Sequence, residues 1–329
     1  MLKAWISGIA VLLLTGSALA QELGAEAVPE PMDVVLVTGE QPGPGLWKVS
    51  SGDHVLWILG EIAPQPAKVI WRSKKFEKLL DNSQQVILDF SGVMWPDYLK
   101  SNAEAKIRKL PDGQTLKDVV SPELYARAEA ARKRYAIDER YAAPERIDDL
   151  RPFYAARRIL LSALRKLDME KRFAASFTVQ RLARRSWVGV TIVDTPGQTH
   201  EEHMKNVVEG STVPCLEMMV KIVEDGGSGL KRLANAWSVG DIPTLRQLVP
   251  LYALQPTHQE NDCTVALYGG EQRANEFVAR RTEEWLSVAE NALRTNKSTM
   301  AVVSMAELFA PDGYLAALRA RGYKIVEPH

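Results

Sequence analysis

This sequence predicts an α/β fold, a central mixed β-sheet surrounded by many helices, and three stretches predict it. The last, Met300–Val326, starts in a small and β-branched apolar run (Ala301, Val302, Val303) and breaks at the polar Ser304–Glu307. A helix opened by Pro311-Asp312-Gly313 follows, ends at Gly322 and leads into a strand at Tyr323–Val326. Such a strand–loop–helix–strand unit cannot bury its apolar faces alone and needs a sheet made by the rest of the chain. The second stretch, Gln85–Phe90, is a short, nearly all-apolar run of the kind found in the middle of a covered sheet. The third is a hairpin, with strands Leu46–Val49 and His54–Ile62 joined through Ser51-Gly52-Asp53.

Between these strands the chain reads mainly as helix. Residues 21–45, with four prolines and several glycines, read as an extended leader to a single domain over 46–329. Ala67–Asn82 carries Val69, Phe76, Leu79 and Leu80 on one helical face. Ser121-Pro122-Glu123 starts a helix that runs to about Tyr135, since the Ser caps, the Pro suits the first turn and the acid suits the helix N-terminus. Leu150–Leu167 is another helix, and Trp187–Val193 returns to strand. Thr199–Asp225, divided at Pro214, then Gly229–Trp237, Pro243–Leu251 and Asn275–Arg294 complete the helical set. The tryptophans Trp47, Trp57, Trp71, Trp95, Trp187, Trp237 and Trp285 lie among apolar neighbours and read mostly as core.

The bulk numbers bound the function. At 329 residues and 46% apolar content the chain can bury a large core. With 41 basic and 41 acidic side chains it lacks the basic excess of a nucleic-acid-binding surface. Met1–Ala20 reads as a secretory signal, with Lys3, an apolar run at Ile6–Leu14 and an A-x-A site that places cleavage between Ala20 and Gln21. That run is shorter than the ~20 residues a membrane span needs, and no later stretch is long and apolar enough to cross a membrane. A periplasmic or secreted protein is expected. In such a compartment the only two cysteines, Cys215 and Cys263, invite a disulfide, with two buried thiols as the alternative. Neither a CxxC nor a Gly-x-Ser-x-Gly elbow nor a phosphate loop is present. His200 and His203 are spaced i and i+3 rather than the i and i+4 of a zinc helix, so they read as an exposed first turn.

The frame residues of the last stretch, Leu308, Ala310, Asp312-Gly313, Leu315, Leu318 and Arg321-Gly322-Tyr323, resemble the C-terminal signature of the TraB/GumN family, to which Tiki-type metalloproteases are similar. Leu46-Trp47-Lys48-Val49, Leu59-Gly60-Glu61-Ile62-Ala63, Leu88-Asp89, Asp112-Gly113-Gln114-Thr115-Leu116 and Gly240-Asp241 match further family segments in order. The resemblance covers about Leu46 to Glu327. It implies a hydrolytic site in which two histidines and a carboxylate hold a divalent metal that activates water.

The reactive positions differ. Ala63 stands for the first histidine, Glu307 for the second, Asp89 for a strand-end Glu, Thr191 for a further Glu, and Arg281-Thr282 for an Arg-Asn pair, while Trp285 remains. Loss of both histidines with retention of the frame points to a non-catalytic protein with no cofactor. It would bind a peptide, protein or glycan in a vestigial groove lined by Gly60, Glu61, Ala63, Asp89, Thr191 and Glu307. The alternative is a metal-dependent peptidase in which Glu61, Asp89 and Glu307 converge on a hard cation. Against that cation site stands the reading of these residues as solvated acids lining the groove, or as acids paired with arginine.

Overall fold

The computed structural model describes residues 43–66, 71–90, 107–135, 146–170, 174–252 and 262–328. The expected signal with its Ala20–Gln21 cleavage point, the leader up to residue 42, Trp95 and His258 lie outside them.

The hairpin forms as the sequence predicts. β1 (Leu46–Ser51) and β2 (His54–Glu61) pair antiparallel, Leu46 facing Leu59 and Ser51 facing His54. Next, β3 (Gln65–Pro66) forms a small separate ladder with β5 (Met169–Glu170). Helix α1 is confined to Lys74–Asp81, shorter than expected, because Ser73 accepts the Phe76 amide at 3.2 Å and so fixes its start. β4 (Gln85–Asp89), β6 (Gly189–Val193), β7 (Ser298–Ser304) and β8 (Lys324–Val326) complete a six-stranded sheet in the order β6-β4-β7-β2-β1-β8. Its first four strands are mutually parallel, and β1 runs antiparallel to both β2 and β8. β4 and β7 are buried along almost their whole length, as strands covered on both faces must be.

Thirteen α-helices accompany the sheet among the described residues. After α1 come α2 (Leu116–Val119), α3 (Pro122–Arg134), α4 (Pro152–Lys166), α5 (Ala174–Arg185) and α6 (His200–Glu209). They are followed by α7 (Val213–Glu224), α8 (Ser228–Val239), α9 (Ile242–Tyr252), α10 (Asp262–Tyr268) and α11 (Glu271–Thr295). Last are α12 (Met305–Phe309) and α13 (Tyr314–Ala320). Pro214 sits in the first turn of α7, where its missing N–H costs nothing, so the predicted division of 199–225 is real. Helices α5 and α10 were not anticipated. The expected polar break after β7 is instead the short helix α12, begun when Ser304 accepts the Ala306 amide at 3.2 Å.

Two apolar cores result. One joins the sheet to α1, α5, α8, α9, α11 and α13, and centres on the fully buried Trp47, Trp237 and Trp285. The other is helical, made by α3, α4, α7 and α10, and Tyr252 packs against both. Trp187 departs from the expectation for the tryptophans. It is 95% exposed and adopts φ +57° just before β6. No helix among the described residues is long and apolar enough to cross a membrane.

Cys215 on α7 and Cys263 on α10 form a disulfide across the helical core, 48 residues apart in sequence. Closing a loop of that length removes chain entropy from the unfolded state worth roughly 4 kcal/mol. Replacing both cysteines by alanine is therefore expected to lower stability by about 2–5 kcal/mol. Thermal unfolding of the double variant against the parent checks this, and an unchanged melting temperature would show that the bridge is dispensable.

Candidate functional site

Parallel pairing brings the carboxyl ends of β2, β4, β6 and β7 to one edge of the sheet, the edge where open α/β sheets take their ligands. Glu61 ends β2 level with Ser304, and Leu88 lies level with Val302, so Asp89 at the end of β4 falls at the same edge. Helix α12 begins as β7 ends and carries Glu307 there. The chain then turns back so tightly that a Cβ on Gly313 would lie 2.0 Å from the Glu307 carbonyl oxygen. That close approach places Tyr314, the first residue of α13, over the same edge.

The fourth component arrives from α11, whose buried stripe runs Ala274, Val278, Arg281, Trp285, Ala289, Ala292. One member of that apolar stripe is a guanidinium. Arg281 Nη2 lies 2.9 Å from Asp89 Oδ2 and Nη1 lies 2.6 Å from Glu307 Oε1, with all three side chains no more than 4% exposed. The Tyr314 hydroxyl donates to the same Asp89 oxygen at 2.6 Å, and its ring stacks in parallel on Trp285 with centroids 4.2 Å apart. Burial alone would favour loss of the Arg281 proton, but Asp89 and Glu307 outweigh it and hold the guanidinium charged. Burial likewise keeps the Tyr314 phenol well above its usual range, so it stays a donor.

Glu61 is held separately from this pair of ion pairs. Its two oxygens meet the Ser176 hydroxyl at 2.6 Å and the Ser176 backbone N–H at 2.9 Å, in the first turn of α5. A strand-end carboxyl thus serves one of the free amides of a helix N-terminus. Burial pushes its pKa up to about 8. The Ser176 bonds oppose that rise, and the nearby Asp89 charge adds to it. That shift favours the neutral acid, and the hydroxyl of Ser176, able to donate or accept, serves either state.

The three acids proposed from sequence do converge on one edge, but as buried groups rather than solvated ones, and around an arginine. Gly60 is there for packing: its carbonyl accepts the Trp237 indole N–H at 2.6 Å, and a Cβ would meet Met305 at 2.7 Å. Ala63 is buried and offers no donor atom. Thr191 is not part of the cluster. Its hydroxyl accepts from Gln85 at 2.7 Å, and Gln85 bonds Asn296, in a network at the opposite end of β4. Sequence reading left out Tyr314 and Ser176. It placed Arg281 among the reactive positions and offered acids paired with arginine as one reading, without joining Arg281 to Asp89 and Glu307. A further signal was that Arg281 occupies the apolar phase of α11 four residues before Trp285.

The exposed-turn reading of the histidine pair fails for His203, which is buried against the edge of Phe153 with Nδ1 3.1 Å from Gln198 Nε2. Among the described residues no group of three or more His, Cys, Asp or Glu side chains is arranged to hold a metal ion. Asp89 and Glu307, the acids nearest to such a role, each give an oxygen to Arg281. The residues present therefore do not fit the metal that the resemblance implied. A surface groove of about 620 Å³, lined by Lys205, Asn206, Pro214 and Arg273 among others, contains none of the strand-end residues.

A family model described as the TraB/PrgY/gumN family matches residues 45–327, most of the chain. No curated protein and no solved structure gives a significant match.

Two predictions follow from the charge arrangement. Arg281→Met leaves two carboxylates buried without their cation and is expected to cost about 3–5 kcal/mol. Adding Asp89→Asn and Glu307→Gln removes those charges and is expected to recover most of the loss in denaturant unfolding. A triple variant no better than the single would show that the ion pairs are not the cause.

Glu61 supplies a pH signature. Its native pKa of about 8 lies above the ordinary value of 4.5, so between those values the native state binds the extra proton. Stability should therefore fall as pH rises through that window and level off above it. Glu61→Gln, which copies the neutral acid, is expected to flatten this part of the profile. Equal slopes for the two proteins would place the titration elsewhere.

Proposed function

The chain belongs to the TraB/PrgY/gumN family, and on that scaffold we propose that it is a non-catalytic binding protein of the cell envelope, periplasmic or secreted. Its ligand is a peptide, protein or glycan received at the carboxyl edge of the parallel strands. The observation that carries this reading is the Arg281 guanidinium between Asp89 and Glu307. A fixed cation there does what a metal would do for the electrostatics of the two acids, neutralising much of their charge, but it has no open coordination position and cannot activate water. Ala63 supplies no ligand at the neighbouring strand end. The secretory pattern of Met1–Ala20 and the Cys215–Cys263 disulfide support the envelope location.

The competing reading, a peptidase using Glu61, Asp89 and Glu307, requires a divalent ion to displace Arg281. Elemental analysis of the purified, dialysed protein separates the two. We expect no stoichiometric metal, and a melting temperature unchanged by added Ca²⁺, Mn²⁺ or Zn²⁺. Stoichiometric metal that is lost in Glu307→Gln, together with metal-dependent peptide hydrolysis, would replace the binding reading by the hydrolytic one.

A further inference from the structure

The two edges of the main sheet differ in a way that points to a partner. At one edge, β8 carries an exposed Lys324 and is followed by Glu327 and Pro328, with Glu327 held by Arg246 and Arg319. Lysine, proline and fixed charges are the devices that keep an edge from pairing with another chain. At the other edge, β6 reads Gly-Val-Thr-Ile-Val with no lysine, proline or charge inside the strand, while Arg184, Arg185, Asp194 and Pro196 lie beyond its ends. Ile192 is 49% exposed, and the strand is entered from Trp187, a wholly exposed aromatic in the left-handed region. Bulky residues hold that conformation only where the surroundings impose it.

The backbone direction of β6 is fixed by its parallel partner. The Val193 carbonyl accepts the Phe90 amide at 2.8 Å, so Val193, Thr191 and Gly189 turn their N–H and C=O groups toward β4. Val190 and Ile192 therefore turn theirs outward, and among the described residues these groups have no hydrogen-bond partner. We propose that β6 is a homodimerisation edge, at which two copies of this chain pair their β6 strands antiparallel about a twofold axis at Thr191.

This register is self-complementary in three respects. Val190 faces the partner's Ile192, so the outward groups of each satisfy the other. The same two residues form cross-strand pairs of β-branched side chains, the kind that stabilise antiparallel ladders. Asp194 falls opposite the partner's Val188, which brings the acidic end of one strand to the Arg184–Arg185 end of the other. Those charged residues are exposed, and none has an ion-pair partner among the described residues. A palindromic charge pattern favours a second copy over an unrelated peptide.

Sedimentation equilibrium of the purified protein tests the proposal. The expected result is a dimer that becomes a monomer with Ile192→Lys and stays a dimer with Val326→Lys at the opposite edge, with both variants folded by circular dichroism. A second variant reads the register. The native cysteines are bonded to each other, so Thr191→Cys introduces one free thiol. Facing itself across the axis in a non-hydrogen-bonded pair, that thiol would have a Cα separation of ~4.5 Å, within disulfide range. Oxidation should then give a covalent dimer. A monomer at every concentration, a dimer that survives Ile192→Lys, or failure of Thr191→Cys to cross-link would each overturn the proposal. A monomer that gains an added extended peptide would instead assign the edge to a foreign strand.

Discussion

Arg281 is a permanent cation enclosed in protein, and the carboxyl edge of the sheet is arranged around keeping it neutralised. Removing a guanidinium and two carboxylates from water carries a desolvation penalty of several kcal/mol for each ion. Only close, well-directed contacts offset it, and the 2.6 and 2.9 Å bonds to Glu307 and Asp89 are of that kind. Those contacts require α11, β4 and α12 to be in register, which in turn requires the parallel pairing of β4 with β7 and the tight return at Gly313. Misplacement of any one element would strand a charge. A cluster satisfied in one arrangement is a register constraint on the strand-end loops more than a source of net stability.

What sets Glu61 apart from its neighbours is the partner it meets. Asp89 and Glu307 each meet the Arg281 guanidinium. Glu61 meets the hydroxyl and backbone N–H of Ser176 instead, and burial raises its pKa to about 8, with those bonds opposing the rise and the Asp89 charge adding to it. A carboxyl raised in this way favours its neutral form, which suits a hydrogen-bonding task at the first turn of α5. Two acids face a cation and one faces a helix start, and the division follows from what each faces.

Much of the fold was legible in the sequence because its signals are local. The hairpin turn, the Ser121 cap, Pro214 at a helix start and the apolar runs of β4 and β7 all act within a few residues of themselves. What was missed is nonlocal. Helix α5 shows no strong start signal among its own neighbours, since the oxygens that serve its first turn belong to Glu61, 115 residues earlier. Helix α12 was read as a break because Ser304 and Glu307 are polar. The glutamate is tolerated there only because an arginine on another helix faces it. The three acids were found by position and pairing with arginine was one reading of them, but which arginine answers them is nonlocal, set by α11 packing across the strand ends.

The same distinction separates residues that answer to packing from residues that answer to charge. Gly60 and Gly313 lie where a methyl group would collide with Met305 or with the Glu307 carbonyl, and Trp237 and Trp285 fill the core beside them. These residues answer to packing, which is indifferent to whether a reaction occurs. Glu307 answers instead to the charge in the site. An arginine with two carboxylates holds the edge together through its own ion pairs. A glutamate at 307 is then what Arg281 requires, since a neutral residue would leave the guanidinium with Asp89 as its one carboxylate partner among the described residues. Glycine and tryptophan thus fix where the strand ends lie, and the ion pairs of Arg281 decide which side chains those ends can carry.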